Sequence, residues 1–209
     1  DFVGRGVRFN DDLPVDPAVL VIAVKPQMME NVLPVLQAYD RGDTLVVSVA
    51  AGVTIADYER AFPNAPVVRA MPNTPAAIGQ GISAIVGNAK AGPAQMDLAA
   101  QLMGAVGAVV RLQAEDQIDA VTAVSGSGPA YVFHMIEALA AAAEAEGLPA
   151  DMALQLARAT VAGAGALAVA RDDHPSELRR QVTSPAGTTE AGLRQLMDET
   201  VDGDYQTFK

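Results

Sequence analysis

The chain has 209 residues, half of them hydrophobic, and a formal net charge of −11. That is apolar material enough for one large domain or two modest ones, while the acidic balance argues against a nucleic-acid partner, which demands basic surface. Cysteine is absent, which removes disulfides, iron–sulfur clusters and thiol chemistry, and two histidines give no basis for a metal site. No apolar run approaches the roughly 20 residues that cross a bilayer, and no signal-peptide pattern opens the chain, so the expected setting is cytoplasmic, without a membrane.

The sequence starts at Asp1 and shows its first clear strand pattern only at Leu20, as if it continued a longer N-terminal segment; 202–209 trails off without helical periodicity. Three apolar runs then alternate with turn signals. Residues 19–24 stop at Lys25-Pro26, 44–49 stop at Ala50-Ala51-Gly52, and 67–71 stop at Pro72-Asn73-Thr74-Pro75. Strands so uniformly apolar are buried on both faces, as in a parallel sheet covered by helices. The stretches 28–39 and 55–62 suit crossover helices, 82–86 and 108–112 suit edge strands, and 94–103 suits a helix between them. The expectation for residues 1–113 is an α/β, Rossmann-like, doubly wound parallel sheet, incomplete at its N-terminus. Such sheets bind ligands beyond the carboxyl ends of their strands, where all three strand-end segments fall.

Residues 114–209 read as an all-helical domain. Helical spacing over 117–124 gives way to Ser125-Gly-Ser-Gly-Pro129, where Ser127 or Gly128 can cap a new helix with Pro129 at its first position. Tyr131, Met135 and Leu139 follow at i, i+4 spacing up to a stop at Gly147. The next helix, 151–170, is dense in small residues, and Gly163 and Gly165 each cost about 1 kcal/mol against alanine there. Close helix–helix approach compensates for that cost. With few bulky residues to fill a core alone, this half is expected to pack against a second copy of the chain.

No residue stands out as a strong acid, base or nucleophile. Ser125-Gly-Ser-Gly lacks the strand-to-helix elbow and histidine partner of a nucleophilic serine; His134 reads as a core or interface residue and His174, before Pro175, as a helix cap. Asp172-Asp173 and Asp198-Glu199 read as solvated helix ends, and no metal-ligand spacing is present. A site without such groups fits chemistry that a cofactor supplies, such as hydride transfer. The most distinctive segment is 182–189, Val-Thr-Ser-Pro-Ala-Gly-Thr-Thr. Hydroxyls and a glycine before a helix start can hold a small carboxylate on free N–H groups, and the same residues can equally cap an interhelical turn. Lys25 could reach a phosphate or ribose or simply lie in solvent. Ala50-Ala51-Gly52 permits close approach of a ligand or makes a plain turn. Asn73 could read a carboxamide or form an Asx turn.

Taken in order, Ala23-Val-Lys-Pro-Gln27, Ser48-Val-Ala-Ala-Gly52, Arg69-Ala-Met-Pro-Asn-Thr-Pro75, Ser125-Gly-Ser-Gly-Pro-Ala-Tyr131 and residues 182–189 strongly resemble the pyrroline-5-carboxylate reductase family, from about Val19 to about Met197. The resemblance implies reduction of 1-pyrroline-5-carboxylate to L-proline with NADPH or NADH, the last step of proline synthesis, in homodimers interlocked through the helical domain and often built into decamers. It places Val24, Lys25, Pro26, Ala50, Ala51 and Gly52 along the cofactor, and Asn73 with Thr74 at its nicotinamide end. Ser184 and the N–H groups of Gly187 and Thr188 would hold the substrate carboxylate, and the Thr189 hydroxyl the ring nitrogen. Two departures are visible: the Gly-rich pyrophosphate turn and the segment that selects NADPH or NADH have no counterpart here, and Ala186 stands where the family usually has glycine. That replacement is mild unless the position requires a positive φ.

Two other readings stand beside this one. A related imine or β-hydroxyacid reductase is disfavoured, because the acid dehydrogenases use a lysine in the helical domain and 116–133 and the later helices have none. A non-catalytic dimeric scaffold would follow if the N-terminal segment is natively absent, since fold alone does not establish activity.

Overall fold

The computed structural model describes residues 15–197. These fall into two compact units that divide between Phe133 and His134.

The first unit is a five-stranded sheet: β1 (Val19–Ile22), β2 (Leu45–Ser48), β3 (Val67–Met71), β4 (Gly81–Gly87) and β5 (Gly107–Arg111), in sequential order. The first three strands are parallel, with Ile22 opposite Ser48 and Ser48 opposite Arg69. Helices α1 (Met29–Leu36) and α2 (Ile55–Ala61) supply the crossovers. Alternation along β2 sends side chains to two separate cores. Val46 packs with Tyr58, Phe62 and Met29 beneath α1 and α2; Leu45 and Val47 pack with Ala99 and Met103 of α3 (Pro93–Gly104) on the opposite face. Both faces are therefore dry, which is why the strand reads as one continuous apolar run, and each fully buried Val or Leu contributes about 1.5–3 kcal/mol.

Two features go beyond the sequence reading. β4 runs antiparallel to β3, and β5 parallel to β4, so a parallel-dominated sheet ends in a reversed pair. The helix foreseen over 28–39 is shortened to α1 by 3-10 turns at Pro26–Met28 and Gln37–Tyr39, and Pro34 inside it has no N–H to donate.

The first unit also includes α4 (Gln117–Val121), which buries Ile118 against Ile55 and Val86. The helix runs further into the Ser-Gly-Ser-Gly stretch than its spacing shows: a π-helical turn, Thr122–Gly126, carries the chain on, closed by the Ser127 N–H on the Thr122 carbonyl at 2.8 Å. The break then falls at Ser127, and α5 (Gly128–Ala145) starts as foreseen, with Pro129 in its first turn. Gly126 lies close to the Met71 side chain there: a Cβ would stand 2.8 Å from the Met71 Cε, which would have to swing aside.

The second unit contains most of α5, then α6 (Ala150–Ala170), α7 (Pro175–Gln181) and α8 (Thr188–Leu196). Among its described residues only Ala140, Ala153 and Ala157 are buried apolar side chains, while Met135, Leu139, Met152, Leu156 and Leu167 lie exposed. Helix α6 is by length and composition apolar enough to cross a membrane, with an 18-residue window of mean hydropathy 1.4, a run that the sequence reading did not find.

Candidate functional site

The carboxyl ends of β1, β2 and β3 lie side by side, so the segments after Ile22, Ser48 and Met71 share one edge of the sheet. That edge brings together Val24, Lys25 and Pro26, then Ala50, Ala51 and Gly52, then Asn73 and Thr74. Lys25, Ala51, Gly52 and Thr74 are exposed, whereas Ala50 is buried. Gly52 adopts φ +75°, and nothing lies within 4 Å of where a Cβ would stand. Small residues thus leave the backbone of this edge open to close approach.

The turn after β2 is held from beneath. The Ser48 Oγ lies 2.5 Å from the Tyr58 hydroxyl, accepts the Ala50 N–H at 3.2 Å and stands 3.4 Å from the Ile22 carbonyl. Both side chains are fully buried. Burial raises the Tyr58 phenol above its ordinary pKa, the bond to Ser48 only partly opposing it, so a neutral hydroxyl occupies the position. A capping box then starts α2: the Thr54 Oγ1 accepts the Asp57 N–H, and the Asp57 carboxylate accepts the Thr54 N–H at 2.9 Å and its hydroxyl at 2.7 Å. These bonds from Thr54, ahead of the charge of Arg60, hold the Asp57 carboxyl below its usual range. Beneath α2, the Glu115 carboxylate accepts the Ile55 N–H at 2.7 Å and pairs with the nearly buried Arg69 at 2.8 Å. An anion at the first turn of a helix is favoured by its dipole. Sequence reasoning named the Ala50–Gly52 turn and missed this frame; an Asp three residues after Thr54 was the legible part of it.

The Asn73 amide is engaged on both sides by the protein. Its Oδ1 accepts the Ile82 N–H at 2.9 Å and its Nδ2 donates to the Ser125 carbonyl at 3.2 Å. The amide ties the exit of β3 to the start of β4 and to the π-helical turn. It forms, with Pro75, Ser125, Gly128, Pro129 and Phe133, one wall of a cavity of about 350 Å³. Ser125 is not a nucleophile in this setting, since its hydroxyl donates to the Val121 carbonyl at 3.1 Å.

In the second unit, residues 182–189 form the turn between α7 and α8. The capping reading holds for one of its hydroxyls only. Thr183 donates to the Arg179 carbonyl at 2.7 Å, but Ser184, Thr188 and Thr189 have no hydroxyl partner among the described residues. Gly187 occupies the N-cap position with no side-chain cap. Its N–H, foreseen as a donor to a carboxylate, instead closes a tight turn on the Ser184 carbonyl at 3.1 Å. The first helical bond comes from Ala191 to Gly187, so the donors a helix start leaves over are those of Thr188, Thr189 and Glu190. Ala186 stands at φ +56°, the one non-glycine residue with positive φ among the described residues. The condition under which its replacement of glycine matters is therefore met. His174 caps α7, its Nδ1 accepting the Ser176 N–H at 3.3 Å, and the His134 ring is exposed beside Glu137 rather than in a core.

A mostly parallel sheet with small residues at its carboxyl edge, followed by a helical unit, defines a Rossmann-like α/β protein with a helical partner domain. Comparison with known proteins narrows this. Residues 115–208 match the family model described as pyrroline-5-carboxylate reductase dimerisation. The chain is 46% identical to the pyrroline-5-carboxylate reductase of Pseudomonas aeruginosa over 91% of its own length and 70% of that protein's. It superposes on the structure of that enzyme from Coxiella burnetii with a TM-score of 0.82 at 39% identity, covering 87% of this chain and 68% of the other. The Plasmodium falciparum reductase, solved with NADP bound, gives a TM-score of 0.77 at 29% identity, covering 86% and 68%. The chain belongs to the pyrroline-5-carboxylate reductase family.

Proposed function

We propose that the protein reduces 1-pyrroline-5-carboxylate to L-proline, taking hydride from NADPH or NADH, as the last step of proline biosynthesis. The observation that carries the reading in this chain is the turn at residues 182–189: three hydroxyls and the leftover N–H groups of a helix start, all unengaged, in a family whose substrate carries a carboxylate beside an imine.

The dinucleotide fits the residues present: Gly52 in a positive-φ turn, Ala50 and Ala51 beside it, and exposed Lys25 and Thr74 on the same edge. Val24, Lys25, Pro26, Ala50, Ala51 and Gly52 would line it, with Asn73 shaping the nicotinamide end next to Thr74. When bound, it supplies the hydride. The chain's own residues do the rest. Ser184 and the Thr188 N–H hold the substrate carboxylate, with Gly187 setting their spacing and the α8 dipole adding typically 0.3–1 kcal/mol. Thr189 accepts a hydrogen bond from the protonated ring nitrogen and fixes the ring plane. The imine carbon gains hydride, the C=N π pair passes to nitrogen, and the proton already there remains, giving the secondary amine. Because a hydroxyl is a poor acid near neutral pH, that proton comes from solvent before hydride transfer. Catalysis in this site is positioning, which can supply a large share of the barrier reduction.

The protein acts as a homodimer through the helical domain, a reading supported by the dimerisation family match and by the exposed apolar faces of α5 and α6; assembly into decamers is a finer proposal, tested by solution mass. We place the domain boundary at 113/114, beside the start of the family match at 115, and the enzyme in the cytoplasm. The test of function is oxidation of NADPH by the purified protein with 1-pyrroline-5-carboxylate, beside NADH and an open-chain 2-keto acid. Turnover confined to the cyclic imine is expected; equal turnover of the keto acid, or none with the imine, would refute the assignment.

A further inference from the structure

The turn that precedes α8 holds Ala186 in the left-handed region, which is unfavourable for an L-residue with a Cβ. Such a conformation persists only where the surroundings hold it. Besides the turn bond from the Gly187 N–H to the Ser184 carbonyl, one side chain does so here. The Glu190 Oε2 accepts the Ala186 N–H at 2.5 Å, and the Glu190 Oε1 accepts from the Arg194 Nη2 at 2.8 Å. In a capping box the third helical residue reaches back to the N-cap N–H. Glu190 is that third residue, yet it reaches one position further, past Gly187, to the residue that needs holding. The carboxylate thereby sits on the turn side of the helix start and leaves the N–H groups of Thr188 and Thr189 unengaged. Together Pro185, Ala186, Gly187, Glu190 and Arg194 bound a cavity of about 420 Å³.

We infer that Glu190, steadied by Arg194, is a positioning residue for the substrate: its carboxylate pins Ala186 in the conformation that a glycine adopts unaided, and so fixes the spacing between Ser184 and Thr189. The inference rests on the reading of residues 184–189 as the carboxylate and imine site. Glu190 touches no reacting atom; its role passes through Ala186.

The test is steady-state kinetics of the purified protein with the imine and the nucleotide varied separately, on Glu190→Ala and Glu190→Gln, each alone and combined with Ala186→Gly. Glu190→Ala is expected to raise KM for the imine by roughly tenfold, the equivalent of one lost charge-assisted bond, and to leave KM for the nucleotide unmoved. Glu190→Gln keeps an acceptor for the Ala186 N–H and should recover part of the loss. Adding Ala186→Gly should remove most of it, because the turn no longer needs holding. The same loss with and without Ala186→Gly, or no change in imine KM, would overturn the inference. Circular dichroism and a melting curve confirm that each variant is folded, and a general loss of both KM values with an unfolded signal would overturn it too. Ser184→Ala and Thr189→Ala tell the two failures apart: if these also leave the imine KM untouched, the reading of the site itself fails.

Discussion

Two turns in this protein face the same geometric problem and solve it differently. The turn after β2 needs a positive φ at residue 52 and has glycine there. The turn before α8 needs a positive φ at residue 186 and has alanine. The first is held by buried neutral hydroxyls, with Tyr58 and Ser48 beneath Ala50; the second by an exposed carboxylate and a guanidinium. Buried, fully satisfied networks gain from low dielectric and ignore salt and pH over a wide range. Surface ion pairs are weak and screened. The turn after β2 is therefore rigid by construction, and the turn before α8 is conditional.

The comparison can be broken most severely at its frame. Glu115→Ala leaves Arg69 charged, buried and unpaired and removes the acceptor of the Ile55 N–H, so urea denaturation should show a loss of about 3–4 kcal/mol. Tyr58→Phe preserves packing and removes one hydroxyl. It should cost about 1–2 kcal/mol in stability and weaken NADPH binding by roughly fivefold in calorimetry, with the imine KM unchanged; unaltered NADPH affinity would separate the network from the cofactor turn. Ala186→Gly should stabilise the protein, but by less than about 1 kcal/mol, because relief of left-handed strain is offset by the greater freedom of glycine in the unfolded chain.

The smallest effect concerns pH. The bond from the Ala186 N–H, then Arg194, holds the Glu190 carboxyl below its usual pKa. A depressed folded-state pKa contributes stability above the ordinary carboxyl range and loses it as pH falls through the folded value. Melting temperatures of the protein and its Glu190→Gln variant should therefore differ near neutrality and converge below about pH 4.

The sheet was legible because its first three strands are apolar runs, β2 and most of β3 buried on both faces, that stop at unmistakable turns. The direction of β4 was not, since 82–86 is as apolar as a parallel strand and only the Asn73 bond to Ile82 reveals how the chain returns. Ser125-Gly-Ser-Gly was legible as a helix break, which falls at Ser127, but the π-helical turn that leads into it was not, since no spacing in the sequence marks it. The Ser48–Tyr58 pair joins a strand end to a helix ten residues on, a contact that periodicity cannot see. At residues 182–189 the chemistry was legible and its use was not. The hydroxyls of Ser184, Thr188 and Thr189 are unengaged among the described residues, the Gly187 N–H is committed to the turn, and a glutamate at the third helical position was the visible sign that something reaches back.

The account turns on Thr189 orienting an iminium. The most direct measurement is kcat/KM for 1-pyrroline-5-carboxylate in Thr189→Ala, with NADPH affinity measured in parallel. A fall of about tenfold or more at unchanged NADPH affinity is the predicted result; an unchanged kcat/KM would contradict the account.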